Sequence, residues 1–405
     1  MRRVTPAQVR IPVPALALIS SVGAFGTHLL LPALPAIRDE FGVTSGQVQL
    51  VVSLSLLALA AGALLNGPLS DRFGRRPVAL AGLGLYVLGS LMAWSAEPFV
   101  GVLAGRIVQA VGGGAVITVI RAVIRDVYDR DTAASIFGYM AAFVLLVPLL
   151  VPLLGGLVVE HLGWRSNFLV AVAVGVTVAV FVWLRLPETR NPVAGPTDTA
   201  GGVMFSLLRR RLFLGYALNY AFSMAALQAF IAGAPLLLIG SVGLSPSEYG
   251  VWYMLTAGAS LTGFALAGRL SRRAGIARML QVGLVISVTA TLLLVAVQAS
   301  VGVPTPLAFI LPAMGHTFAN ALMAPSATSS AVGERPDQAG AAAGLLGFLQ
   351  FLFAAGAAQL TGVLQDHTEL GVALVMAGAS LGAAAAYLGL IRPATAGQAD
   401  AGQAQ

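Results

Sequence analysis

The sequence predicts an all-α integral membrane protein of twelve transmembrane helices in two six-helix halves, with both termini cytoplasmic. Three observations carry this expectation. Of 405 residues 58% are hydrophobic and 10% charged, whereas a soluble domain carries about 25% charged residues. Mean hydropathy is +0.87, and twelve apolar stretches approach the ~20 residues that a helix needs to cross a bilayer. The basic residues, finally, gather on one side of those stretches.

The elements follow in order. An apolar run at 11–37 comes after three arginines, Arg2, Arg3 and Arg10; it exceeds the ~7–15 residues of a signal-peptide core and reads as an uncleaved first helix. It ends in "LPALPAI" and carries a histidine, His28. Helix two (47–68) runs into "NGPLSDRFGRRP". Helix three (78–95) precedes helix four (99–120), which contains "GRIVQAVGGG" with Arg106 and Gln109 and is followed by "RAVIRDVY" with Arg125 and Asp126. Helix five (134–157) contains "PLLVPLLGG", where Pro148 and Pro152 bend the helix and Gly155 and Gly156 admit a close neighbour. "GWRSNF" opens helix six (166–186) and "LPETR" closes it. The polar stretch that follows, including "NPVAGPTDTAGG", reads as a flexible linker. Helices seven to twelve are expected at 211–240, 249–268, 277–299, 305–330, 339–363 and 370–392. Domain organisation is therefore a first half at 1–190, a cytoplasmic linker at 191–208, a second half at 209–392, and a disordered tail at 393–405.

Arginine placement sets the orientation. With the N-terminus inside, twenty arginines lie in cytoplasmic segments, only Arg38 and Arg165 lie outside, and Arg106 lies within a helix. The pI near 10.3 thus reflects membrane topology, and no nucleic-acid partner is expected. An internal echo supports the division into halves: Gly67, Leu69, Ser70, Arg72 and Gly74 recur as Gly268, Leu270, Ser271, Arg273 and Gly275, the mark of a parallel repeat.

Composition also excludes chemistry. All 23 basic residues are arginine and there is no cysteine. Without lysine there is no P-loop lysine and no Schiff base; without cysteine there is no thiol nucleophile, disulfide or thiolate metal site. The chain is not expected to be an enzyme, nor to need a cofactor or a metal.

"GPLSDRFGRRP" resembles the loop two-three signature of the major facilitator superfamily. "LPALPAI", "GRIVQAVGGG", "RAVIRDVY", "PLLVPLLGG", "GWRSNF" and "LPETR" resemble its drug:proton antiporter branch, within it the Bcr/CflA group of bicyclomycin and chloramphenicol-florfenicol exporters. The match covers most of residues 27–190; the second half matches through its weaker loop repeat and "PDQAGAAAGLLGFLQ". The resemblance implies alternating access and a cavity lined by helices one, four, seven and ten. It also implies that the helix-five prolines and glycines form an exporter motif, although Val147 replaces the usual glycine there.

In the loop, Gly67 and Gly74 allow a tight turn, and Asp71 can cap a helix or pair with an arginine. Together with Arg72, Arg75, Arg125 and Asp126 it forms a candidate conformational latch; the alternative is that the arginines only enforce topology. Three ionisable residues fall inside spans, His28, Arg106 and His316, at about 13, 10 and 16 Å from the outer helix ends at 1.5 Å per residue. Such residues mark functional sites by default. The candidate substrate cavity is His28, Arg106, Gln109, Tyr216, Asn219, Tyr220, His316 and Asn320. Relatives usually place an acid in helix one within a pattern like T-D-x-x-L-P; here Thr27 precedes His28, and no span holds a deep carboxylate. The proton carrier is then His28, His316 or the outer acid Glu160, or transport is uncoupled.

A cavity with one fixed arginine and no acid favours neutral or anionic compounds over lipophilic cations. The expected function is export of small amphipathic, phenicol-like compounds across the cell membrane, coupled to proton influx, by a monomer in the lipid bilayer. The alternatives are a metabolite uptake carrier or an uncoupled uniporter of the same fold. A non-transporting sensor is disfavoured, since no sizeable soluble segment is present to signal.

Overall fold

The computed structural model describes residues 12–189, 205–301, 305–335 and 338–394, and among these residues it contains helices and no strand. Among the described residues eleven helices are long and apolar enough to cross a membrane. The twelfth, helix five, is present but broken.

α1 spans Val13–Phe41, with a 3-10 turn at Leu31–Ala33 inside it. The turn follows from "LLLPALP": Pro32 has no N–H for the carbonyl of His28, four residues earlier, and Pro35 has none for Leu31. α2 (Ser45–Phe73) starts at a capping box in which the Gln47 N–H donates to the Thr44 hydroxyl and the Thr44 N–H to the Gln47 side chain. It runs through most of the loop signature, so Gly67 is helical and is not part of the turn expected of it. Only Gly74, at φ +104°, separates α2 from α3 (Arg75–Trp94).

α4 spans Phe99–Val127. α5 consists of Arg130–Val144 and Leu146–Leu162, broken at Leu145. Pro148 explains the break: it lacks the N–H owed to the Val144 carbonyl, and its ring crowds that carbonyl. α6 is Ser166–Arg185. α7 (Arg211–Ser241) widens into π-type turns after Pro235. α8 (Pro246–Ala274) begins at Ser245, whose hydroxyl accepts from the Glu248 N–H while Glu248 accepts from the Ser245 N–H. α9 (Ile276–Val301), α10 (Pro306–Gly333), α11 (Ala339–Gln365) and α12 (Gly371–Ala386, continued by a π-type turn at Tyr387–Ile391) complete the chain. The expected linker and tail fall largely outside the described residues.

The chain divides into two compact units, Met1–Gly195 with Leu244–Met254, and Pro196–Gly243 with Leu255–Gln405. The first two turns of α8 thus cluster with the first unit. Within that unit α3 and α4 approach closely through glycines: a Cβ on Gly105 would lie 2.5 Å from the Ala93 nitrogen, and one on Gly82 would lie 3.1 Å from the Gly112 carbonyl. The second unit repeats this with Gly283 of α9, where a Cβ would lie 3.1 Å from the Ala319 carbonyl of α10. Gly74 and its repeat partner Gly275 both take positive φ, +104° and +79°. The repeat seen in sequence therefore recurs as the same helix-ending device in each unit.

Candidate functional site

Arg106 lies on α4 at 3% exposure. One of its terminal nitrogens donates to the Gly26 carbonyl at 3.2 Å and to Gln109 Oε1 at 2.5 Å. Gln109 Nε2 donates in turn to the Ser90 hydroxyl of α3 at 2.7 Å, which itself donates to the Tyr86 carbonyl. The three-residue spacing of Arg106 and Gln109 puts both on one helix face, and the tight α3 to α4 approach brings Ser90 within reach. All these partners are neutral. Among the described residues Arg106 enters no ion pair, and its Nε has no hydrogen-bond partner.

His28 addresses a different face of α1. A Cβ on Gly26 would lie 2.7 Å from the Tyr86 hydroxyl, so Gly26 faces α3 and α4. His28, two residues on, projects about 200° away at ~100° per residue. Its imidazole forms an edge contact with Tyr253 of α8, centroids 6.2 Å apart at 61°, and its Nδ1 is buried without a hydrogen-bond partner. The structure therefore does not group His28 with Arg106: the two sit back to back across α1.

α8 is held near α1 by its fit on α5. A Cβ on Gly155 would lie 3.0 Å from the Leu29 carbonyl carbon, one on Gly156 would lie 2.6 Å from that of Pro246, and one on Gly250 would lie 2.5 Å from Leu153 Cα. Pro152 lies inside this second piece of α5 and Pro148 in its first turn. Glu160 is exposed near its end, and its carboxylate accepts a hydrogen bond from Ser247.

The loop signature builds a network centred on Arg75. Its guanidinium donates to Asp126 at 2.8 Å, to Asp71 at 2.5 Å and to the Ser70 hydroxyl at 2.7 Å. The cap of α3 is not Asp71, as the sequence allowed, but Glu188 from "LPETR", which accepts from the backbone N–H groups of Arg75 and Arg76 at 2.8 and 3.1 Å. Arg76 also donates to the Trp183 carbonyl at 2.5 Å, closing the end of α6. Arg72 lies over the Phe73 ring, 5.2 Å from its centroid. Arg125 is exposed and enters no ion pair among the described residues.

In the second unit, three of the predicted cavity residues bond to neighbouring helices, with His316 Nε2 and Asn219 Oδ1 left without a hydrogen-bond partner. His316 is fully buried, with Nδ1 2.9 Å from the Ser287 hydroxyl of α9, itself 3.1 Å from the Ser380 hydroxyl of α12. Asn219 donates to the Ala383 carbonyl and Asn320 to the Ser223 hydroxyl. Tyr216 and Tyr220 are half-buried against the packed side chains of that unit. Tyr220 also lines a cavity of about 450 Å³ with Phe264, Pro325, Thr328 and Ser329, and no charged side chain lines it. Among the described residues no three His, Asp or Glu side chains gather as a metal site would require.

Sequence reasoning missed Tyr253, Glu188 and Ser90. Glu188 lies in "LPETR"; the others carried no signal beyond an aromatic or hydroxyl residue in an apolar helix.

A family model described as Major Facilitator Superfamily matches residues 16–358. The chain is 30% identical over 363 residues to multidrug resistance protein D of Escherichia coli strain K12, covering 89% of this chain and 91% of that protein. It is 33% identical over 271 residues to a chloramphenicol resistance protein of Pseudomonas aeruginosa, a match spanning 65% of this chain and 62% of that protein. It is 27% identical to a bicyclomycin resistance protein homologue of Haemophilus influenzae, across 83% of this chain and 85% of the relative. Among solved structures, a bacterial homologue of the human lysosomal transporter Spinster, in an inward-facing and occupied conformation, aligns with TM-score 0.72 at 18% identity over 95% of this chain and 94% of that one. A nucleoside transporter aligns with TM-score 0.75 at 16% identity over 94% of this chain and all of that one. At these identities the structural matches speak for the fold alone.

Proposed function

The chain belongs to the Major Facilitator Superfamily, and from that premise we propose that it exports small neutral or anionic amphipathic compounds across the cell membrane by alternating access, drawing on proton influx. The names of its relatives, which speak of multidrug, chloramphenicol and bicyclomycin resistance, support phenicol-like antibiotics as substrates. Its termini are cytoplasmic, and it works as a monomer.

The observation that carries the substrate class is Arg106, a guanidinium at 3% exposure whose hydrogen bonds all go to neutral acceptors. A buried charge without a partner costs several kcal/mol. It is retained where a ligand supplies electron-rich oxygen. A second positive charge within 4 Å would meet about 4 kcal/mol of repulsion at an effective dielectric constant of 20, enough to exclude cations. Chloramphenicol and a quaternary ammonium dye should therefore separate: cells producing the protein accumulate less of the first and as much of the second as control cells. Strong export of the quaternary cation together with none of chloramphenicol would overturn this reading.

We assign the proton to His28, which lies mid-span in α1 with a free ring nitrogen. One observation favours uncoupled transport instead: every carboxylate on the described helices falls in a terminal turn. Export that is indifferent to an imposed pH gradient would select that second reading.

A further inference from the structure

We propose that Tyr253 is a positioning residue for proton exchange at His28, holding the imidazole by a ring contact that strengthens when the imidazole is charged. This rests on the assignment of His28 as proton carrier, and it adds the residue on α8 through which that carrier acts.

Three observations lead there. The His28 and Tyr253 rings meet edge to face, 6.2 Å apart, an arrangement in which the positive edge of one ring addresses the negative face of the other. Tyr253 is 3% exposed and is backed by Tyr249, fully buried, 5.8 Å away at 49°, so the phenol packs against a second buried ring. His28 finds no hydrogen bond at Nδ1, so this ring contact stands where a polar partner would otherwise orient the imidazole.

The setting makes the contact selective for charge. Among the described residues His28 enters no ion pair with a carboxylate. The charged groups on the elements packed against this part of α1 are Arg106 of α4, bonded on the opposite face of α1, and Glu160 and Glu248 in the terminal turns of α5 and α8. His161 is exposed, its Nδ1 on the Leu157 carbonyl. The Tyr253 ring is the aromatic group in contact with the imidazole, and an aromatic face favours an imidazolium over a neutral ring. Because the start of α8 is seated on α5 by Gly156 and Gly250, protonation at His28 would tighten α1 onto an element already anchored in the first unit. Pro32 deprives the His28 carbonyl of its helical donor, so this stretch of α1 is held by one backbone hydrogen bond fewer.

The test uses full-length protein in proteoliposomes, with chloramphenicol as probe and an entrapped pH dye as readout. Tyr253→Phe, which keeps the ring, should retain wild-type proton movement per substrate. Tyr253→Leu should bind chloramphenicol as the wild type does yet move protons about threefold to thirtyfold less, the range of an aromatic contact to a cation. Its flux should also need a more acidic exterior, by about half a pH unit or more. If Tyr253→Leu does not fold, Tyr253→Trp serves, since a larger aromatic face should preserve coupling. Wild-type coupling and pH profile in Tyr253→Leu, or loss of coupling in Tyr253→Phe or Tyr253→Trp, would overturn the proposal and leave His28 as carrier. No proton movement in the wild type would overturn both.

Discussion

Arg106 occupies a place where a charge is expensive, and its neighbours do little to offset it. Two neutral acceptors hold the guanidinium, while its Nε goes unbonded. Replacing even a buried ion pair with apolar side chains is often neutral or stabilising by about 1–4 kcal/mol, and a buried ion with no counter-ion has less attraction to lose. Arg106→Leu should therefore fold, with a melting temperature equal to or above that of the wild type, and yet lose export of chloramphenicol by at least about tenfold. A stable variant that exports normally would reduce Arg106 to a packing residue. His28 shows how residue-scale detail escapes a sequence. Its depth in helix one is legible from spacing, but the face it presents is fixed by what packs on each side of α1. Helix phase from Gly26, close to Tyr86, turns His28 toward Tyr253 and away from Arg106.

At the junction of α2, α3, α4 and α6 the contacts differ in weight. Asp71 and Arg75 form a bridge in which the Asp71 side chain is 59% exposed, and such a pair is worth about 0–1 kcal/mol. The Asp126 side chain is 18% exposed, and a hydrogen bond to a charged group there is worth about 1.5–3 kcal/mol. Asp126→Asn should accordingly lower thermal stability and transport more than Asp71→Asn, read by thermal unfolding and by efflux; the opposite order would mean that Asp71 meets a further partner during transport. Most elements were legible because an apolar run long enough to span a bilayer has few alternatives. Two features were not. Pro148 read as a bend, whereas the carbonyl of Val144 that it orphans lies beside a full break at Leu145. The loop signature read as a turn between glycines, whereas α2 continues to Phe73 and a single residue, Gly74, makes the turn. Its fit is doubly specific, since a Cβ there would lie 2.6 Å from the Glu188 carboxylate.

For the whole molecule, membrane class, helix number and the internal repeat all followed from composition, apolar run length and the echo of one loop in another. The candidate site followed less well, because it depends on which polar side chains are already satisfied. His316, Asn219 and Asn320 looked like cavity residues by depth and type, and each bonds to a neighbouring element within the second unit, while His316 Nε2 and Asn219 Oδ1 keep no hydrogen-bond partner. Among the buried polar atoms of the first unit without a hydrogen-bond partner are Arg106 Nε and His28 Nδ1, alongside atoms of Tyr86, Asn167 and Tyr249. Arg106 and His28 are the two of these residues that carry or can take up a charge deep in a span, which is why the proposed function gives one the substrate and the other the proton. On the proposed function, export is driven by proton exchange at His28. The most direct test is substrate-driven proton movement in proteoliposomes holding wild type, His28→Ala or His28→Asp. Coupled movement is expected in the wild type, downhill substrate flux without proton movement in His28→Ala, and partial recovery with an altered pH dependence in His28→Asp; proton movement undiminished in His28→Ala would rule out His28 as the carrier.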